Sequence, residues 1–143
     1  MIGLSACHSA VLENLHQKCF KIPWSCQFFQ ELLSQHTVCA AFGWLVLASD
    51  KPAGFILARS LISEAEILTL AVDPLCQKQG IGKALVQRLK KEYVGPLYLE
   101  VDVDNQAAIH LYQQQGFTII SKRPSYYRHP DGSTTDAFLM RCG

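Results

Sequence analysis

No C-x-x-C pair occurs in this chain, although it carries six cysteines: Cys7, Cys19, Cys26, Cys39, Cys76 and Cys142. Without the paired spacing of a zinc site, no metal is expected. A domain of 143 residues buries roughly 68–70% of its unfolded surface and needs no covalent staples. The cysteines therefore read as reduced thiols in a reducing, cytoplasmic setting. Charge of one sign is also lacking: 13 Lys+Arg against 12 Asp+Glu leave a net charge of +1. That excludes the basic footprint of a nucleic-acid binder and the acidic tail that would seek a basic partner. No stretch approaches the roughly 18 apolar residues of a membrane-spanning helix. Leu4-Ser5-Ala6-Cys7 spells a lipoprotein cleavage box. It lacks a preceding positive charge and the apolar stretch of about 7–15 residues that a signal peptide needs, so it reads as chance. Internal repeats and low-complexity tracts are absent. A chain 49% hydrophobic and 17% charged is expected to form one globular domain over residues 1–143, as a monomer.

Periodicity divides the chain. Val11, Leu12, Leu15 and Cys19 recur at helical spacing; Pro23 interrupts, and Ser25 can cap a second helix with Phe28, Phe29, Leu32 and Leu33 on one side. After Thr37 the pattern changes to strands. Apolar runs at residues 40–48, 53–62 and 66–72 are separated by turn signals at residues 49–52 and 63–65, which predicts an antiparallel meander. Ile81, Leu85, Leu89 and Tyr93 then form one helical stripe, ended by Gly95-Pro96. Leu97, Leu99, Val101 and Val103 alternate with Tyr98, Glu100 and Asp102, so this strand has two distinct faces. The intervening helix makes a crossover, and this strand should run parallel to the third. Asn105 caps a helix over residues 106–115, stopped by Gly116; strands follow at residues 117–121 and 134–140. The expected fold is α/β of the α+β type: a mixed, mostly antiparallel sheet with helices on both faces.

The segment Gln77-Lys78-Gln79-Gly80-Ile81-Gly82-Lys83 joins the third strand to the third helix. A helix N-terminus offers unpaired N–H groups and a positive dipole end, and glycine lets an anion approach the backbone. The dinucleotide fingerprint fails, because Leu85 stands at its third glycine. The P-loop fails at Gln77 and Ala84. The pattern Q/R-x-x-G-x-G/A fits and resembles the coenzyme A pyrophosphate loop of the GNAT superfamily of N-acetyltransferases. Leu99-Glu100-Val101, Asn105 and Leu111-Tyr112 through Gly116-Phe117 follow in the order of that superfamily. Pro23-Trp24-Ser25, Ala65 through Val72, Arg123-Pro124-Ser125-Tyr126-Tyr127, Asp131-Gly132 and Asp136-Ala137 resemble the bacterial ribosomal-protein-alanine N-acetyltransferases, the RimI type.

That resemblance implies a GNAT fold, acetyl-CoA as co-substrate, and the N-terminal alanine of a ribosomal protein as acceptor. By position it implies that Leu70, Ala71 and Val72 meet the acetyl and pantetheine part with backbone groups. Lys78, Gln79, Gly80, Ile81, Gly82 and Lys83 would hold the pyrophosphate, and Asn105 would contact the coenzyme. Glu100 would be the general base and Tyr112 the general acid. Pro23, Trp24, Ser25, Tyr126 and Tyr127 would flank the arriving N-terminus. Asp102 and Asp104 depart from the family pattern. Asp102 shares the face of Glu100, where like charge should raise the Glu100 pKa and favour a cationic substrate tail.

The chemistry suits an α-amine. With a pKa of roughly 7.7–8.0 it is already about one-tenth neutral near pH 7, whereas a lysine at about 10.4 costs nearer 4–5 kcal/mol to deprotonate. Each residue also has a plainer reading. Glu100 also reads as a solvated residue on an open strand face, Tyr112 falls near a core stripe, Asn105 is a helix cap first, and Trp24, Tyr126 and Tyr127 also read as packing residues. Glu66 is a second-choice base. At the level of function, the alternatives are an acetyltransferase for lysine or a small amine, and a non-catalytic coenzyme A-binding module.

Overall fold

The computed structural model describes residues 1–35 and 39–143; the expected helix-to-strand boundary at Thr37 lies outside them. The elements are β1 (Ile2–Gly3), α1 (Ser9–Cys19), α2 (Cys26–Leu33), β2 (Ala41–Ala48), β3 (Lys51–Ser60), β4 (Ala65–Val72), α3 (Ile81–Glu92), β5 (Leu97–Asp102), α4 (Gln106–Gln114), β6 (Thr118–Arg128) and β7 (Thr134–Cys142). The seven strands form one sheet in the order β1-β2-β3-β4-β5-β7-β6. Only β4 and β5 are parallel, as the crossover helix α3 requires.

Helices cover both faces, and strand alternation sorts the core between them. Phe55 and Leu57 of β3 pack with Leu12, Leu15, Phe29 and Leu32 of α1 and α2. Their neighbours Ile56 and Ala58 pack on the other face with Leu85, Val86 and Leu89 of α3 and Ile109 and Tyr112 of α4. Covered on both sides, β3 reads as a continuous apolar run rather than an alternating one.

Several boundaries differ from the sequence reading. Ser49 and Asp50 make the β2–β3 turn alone, with φ of 50° and 63°. Lys51 and Pro52, expected in that turn, already pair with Ala48 and Leu47. The strand expected at residues 117–121 runs from Thr118 to Arg128. It lies at the sheet edge and is exposed almost throughout, so it carries no apolar alternation past Ile120. β1 was not foreseen, because two residues leave no period to read. Nor was the order β5-β7-β6, in which the last strand slips between two earlier ones.

Candidate active site

The sheet opens where β4 and β5 part. These strands pair only at Ala65–Leu97, Glu66–Tyr98 and Ile67–Leu99. On its other edge β4 stays paired to β3 as far as Val72, but the register shifts between Ile67 and Thr69, leaving Leu68 as an extra residue. A bulge bends its strand and steepens the local twist. Here it falls one residue past the last β4–β5 pair, which accounts for the opening. Residues 68–72 thus have β3 along one edge and, among the described residues, no strand along the other.

Glu100 is the first β5 residue beyond the parallel pairs. Leu97, Leu99 and Val101 are buried against α3 and α4, so alternation turns Glu100 to the α1/α2 face. There it lines a cavity of about 280 Å³ together with Trp24, Phe28, Leu68, Tyr126 and Tyr127. Its side chain is 12% exposed and its Oε1 accepts from Arg123 Nη1 at 2.5 Å. Its Oε2 is buried and, among the described residues, makes no hydrogen bond of ordinary geometry, though the Tyr126 phenol lies close by. Tyr127 donates its hydroxyl to the Glu100 backbone carbonyl at 3.0 Å. Arg123 also lies over the Tyr126 ring, 5.2 Å from its centroid. Burial and the nearby Glu100 charge push the Tyr126 phenol up. The β6–β7 register breaks between Arg123 and Tyr127, and Ser125, at φ 51°, donates its N–H to Asp136 Oδ1 at 2.9 Å. This arch carries the two tyrosines over the cavity.

Glu66, the second-choice base, lines the same cavity and pairs with Arg59 at 3.1 Å. Pro23 and Ser25 are exposed and do not line it; the Ser25 hydroxyl caps α2 by accepting from the Phe28 N–H at 3.1 Å. Asp102 does share the face of Glu100, but its carboxylate accepts from Thr135 Oγ1 at 2.7 Å and lies 3.8 Å from His129 Nε2. Sequence reasoning gave no role to Arg59 or Arg123. A signal existed for Arg59, which faces Glu66 directly across β3 and β4. Arg123 reaches Glu100 only because β7 carries β6 to that position.

The opposite side of the opening is built for an anion. Lys78 and Gly80 both take the left-handed conformation, at φ 62° and 82°. The first helical bond of α3 runs from the Ala84 N–H to the Gly80 carbonyl at 3.0 Å. The N–H groups of Ile81, Gly82 and Lys83 therefore have no carbonyl within the helix. A Cβ on Gly82 would stand 3.2 Å from the Leu111 Cδ2, so glycine lets α3 and α4 close together. Lys78 and Lys83 are exposed and make no ion pair among the described residues. Asp73 sets the turn into this loop. The Leu75 N–H and Lys18, at 2.9 and 3.0 Å, hold its carboxyl below the usual range. Asn105 caps α4 by accepting from the Ala108 N–H at 3.2 Å, which leaves its amide nitrogen without a partner among the described residues. A donor set of this kind fits a pyrophosphate.

Tyr112 is 6% exposed in the α3/α4 core, with Phe117 5.6 Å away. Burial pushes its phenol well above the ordinary value, so it is protonated throughout the neutral range. Leu70 packs in the same layer, Ala71 in the α1/α2 core; Val72 is buried, its carbonyl accepting from Gln77 Nε2 at 3.1 Å and Cys19 Sγ at 3.2 Å. Glu100 and Tyr112 therefore stand on opposite faces of the sheet. No cluster of His, Cys, Asp and Glu suited to a metal occurs among the described residues. None of the described helices is long and apolar enough to cross a membrane.

Residues 10–117 match the model of the acetyltransferase (GNAT) family. The chain is 33% identical over 131 residues to the [ribosomal protein bS18]-alanine N-acetyltransferase of Escherichia coli K12, covering 89% of this chain and 85% of that protein. The crystal structure of the ribosomal-protein-S18-alanine N-acetyltransferase from Escherichia coli superimposes with a TM-score of 0.85 at 32% identity, over 98% of this chain and 90% of the other. Arabidopsis thaliana NAA60 in complex with acetyl-CoA gives a TM-score of 0.80 at 23% identity, over 97% and 94%, a likeness of fold.

Proposed function

Because the chain belongs to the acetyltransferase (GNAT) family, we propose that it transfers acetyl from acetyl-CoA to the α-amine of a protein N-terminus, an alanine of a ribosomal protein. The observation that carries this reading is the cavity that joins Glu100 to Trp24, Tyr126 and Tyr127 beside the β4–β5 opening. It offers a base and aromatic walls to an extended N-terminus on one face. The anion cradle at Gly80 to Lys83 serves the coenzyme on the other. The bS18-alanine enzymes named above favour the alanine acceptor.

Acetyl-CoA supplies an activated acyl carbon as its thioester. Glu100 takes a proton from the arriving ammonium, directly or through one water, and the neutral nitrogen then bonds to that carbon. A backbone N–H of residues 70–72 faces the carbonyl oxygen as it gains charge. Tyr112 donates toward the sulfur as the C–S bond breaks. Proton transfer from a buried phenol to a thiolate with pKa about 8.5 runs uphill, so the second proton of the attacking nitrogen, acidified once the C–N bond has formed, replaces the one Tyr112 gives to sulfur. The net products are an acetylated amine, a thiol and one proton released through Glu100.

The test is acetyl transfer to alanine-starting peptides with free and with blocked α-amines, alongside lysine and polyamines. Labelling confined to the free α-amine supports the reading. Equal labelling of the blocked peptide on lysine overturns it.

A further inference from the structure

His16 lies on the inner face of α1, is 2% exposed, and belongs to neither the coenzyme cradle nor the cavity lining. Its Nδ1 accepts the Trp24 backbone N–H at 3.0 Å. A backbone N–H can only donate, so Nδ1 carries no proton and the hydrogen is on Nε2. Nε2 lies 3.2 Å from Thr69 Oγ1 and donates to it. Both ring nitrogens are thus engaged, in one tautomer. The ring also stacks on Trp24 at 5.1 Å and on Phe20 at 4.2 Å, with Phe29 edge-on at 5.6 Å.

The two partners of this ring belong to different walls of the cavity. Trp24 lines it from the α1–α2 connection and stacks on Phe28, another lining residue, at 4.9 Å. Thr69 directly follows Leu68, the bulged β4 residue that lines it from the sheet. Among the described residues β4 has no strand neighbour on its β5 edge here, and the short α1–α2 connection is not part of the sheet. One imidazole spans the distance between them.

We infer that His16 is a positioning residue for the peptide site: by joining the Trp24 backbone to Thr69 it fixes the spacing of the two walls and thereby the size of the first substrate side chain admitted. This rests on the N-terminal acetyltransferase reading. Removing the strut lets the Trp24 wall recede, which loosens the grip on alanine and admits larger residues. The N–H groups of the coenzyme cradle lie on α3, and α1 reaches the loop before it through Lys18 rather than His16, so coenzyme affinity should hold.

The experiment measures kcat and KM for peptides starting with Ala, Leu and Phe, and KM for acetyl-CoA, in wild type, His16→Leu and His16→Gln. Wild type must first acetylate the alanine peptide on its α-amine; if it does not, the reading of function fails rather than the strut. In His16→Leu both ring hydrogen bonds are lost, and KM for the alanine peptide should rise about tenfold. The Ala/Leu ratio of kcat/KM should fall about fivefold, while KM for acetyl-CoA stays within about twofold. Glutamine can accept from the Trp24 N–H and donate to Thr69, so His16→Gln should recover most of the loss. An unchanged Ala/Leu ratio, a parallel rise in KM for acetyl-CoA, or no recovery in His16→Gln overturns the inference. Should His16→Leu not fold, Thr69→Val cuts one link and keeps the ring; an Ala/Leu ratio equal to wild type in that variant overturns it equally.

Discussion

Glu100 has two oxygens in unequal surroundings: Oε1 meets Arg123, and Oε2 is buried with no hydrogen bond of ordinary geometry among the described residues. A buried acceptor left unpaired is costly, and an amine or ammonium donor would relieve it. Replacing Glu100 with Gln should lower kcat by about 10²–10⁴-fold while leaving the coenzyme Kd unchanged by calorimetry. Glu66→Gln should cost much less, and the reverse ranking would move the base to Glu66. For Tyr112→Phe the ring packing against Phe117 is kept and the hydroxyl is lost. Turnover should fall with little change in thermal midpoint; unchanged turnover would make Tyr112 a core residue alone. The face of Glu100 was legible from alternation in six residues of β5. Its partner Arg123 was not, because no local pattern tells which strand will lie near β5. The capping role of Ser25 was legible; its separation from the cavity was not.

The loop into α3 and the first turn of that helix act as one element. A Cβ on Gly80 would meet nothing within 4 Å, yet its φ is +82°. The cost of Gly80→Ala is therefore conformational, about 1 kcal/mol, and should appear as a lower urea midpoint together with weaker coenzyme binding. The α1 helix carries a different sensitivity. Burial lowers the His16 pKa from 6.5 to about 4. The unfolded chain then binds a proton that the folded one refuses. The contribution is complete above pH 6.5 and is lost as pH falls toward 4, about 3 kcal/mol at most. Urea titrations between pH 7.5 and 4.5 should show this slope, and His16→Gln should flatten it. Helical stripes and caps exposed α2, α3 and α4 in the sequence to within a residue or two. β6 was cut short because an exposed edge strand has no buried face to give it a period.

At the scale of the whole molecule, the sheet separates the two reaction partners. The acceptor cavity opens on the α1/α2 face and the anion cradle belongs to α3, with the β4–β5 gap between them. Direct transfer through that gap requires both substrates at once. Initial-rate plots should intersect, and no acetylated protein should accumulate when acetyl-CoA is supplied alone; parallel lines and a labelled protein would contradict direct transfer. The alternating elements and the crossover helix exposed this architecture in the sequence. The bulge at Leu68 that opens the gap did not show, since an extra residue is visible only against its partner strand. Insertion of β7 between β5 and β6 adds a temporal consequence. In the native order β6 pairs with β7 alone, so it joins the sheet only once β7 lies against β5. The arch bearing Tyr126 and Tyr127 therefore takes its place only with β7 paired, and the α3/α4 core closes at the same step, because Met140 of β7 is buried in it.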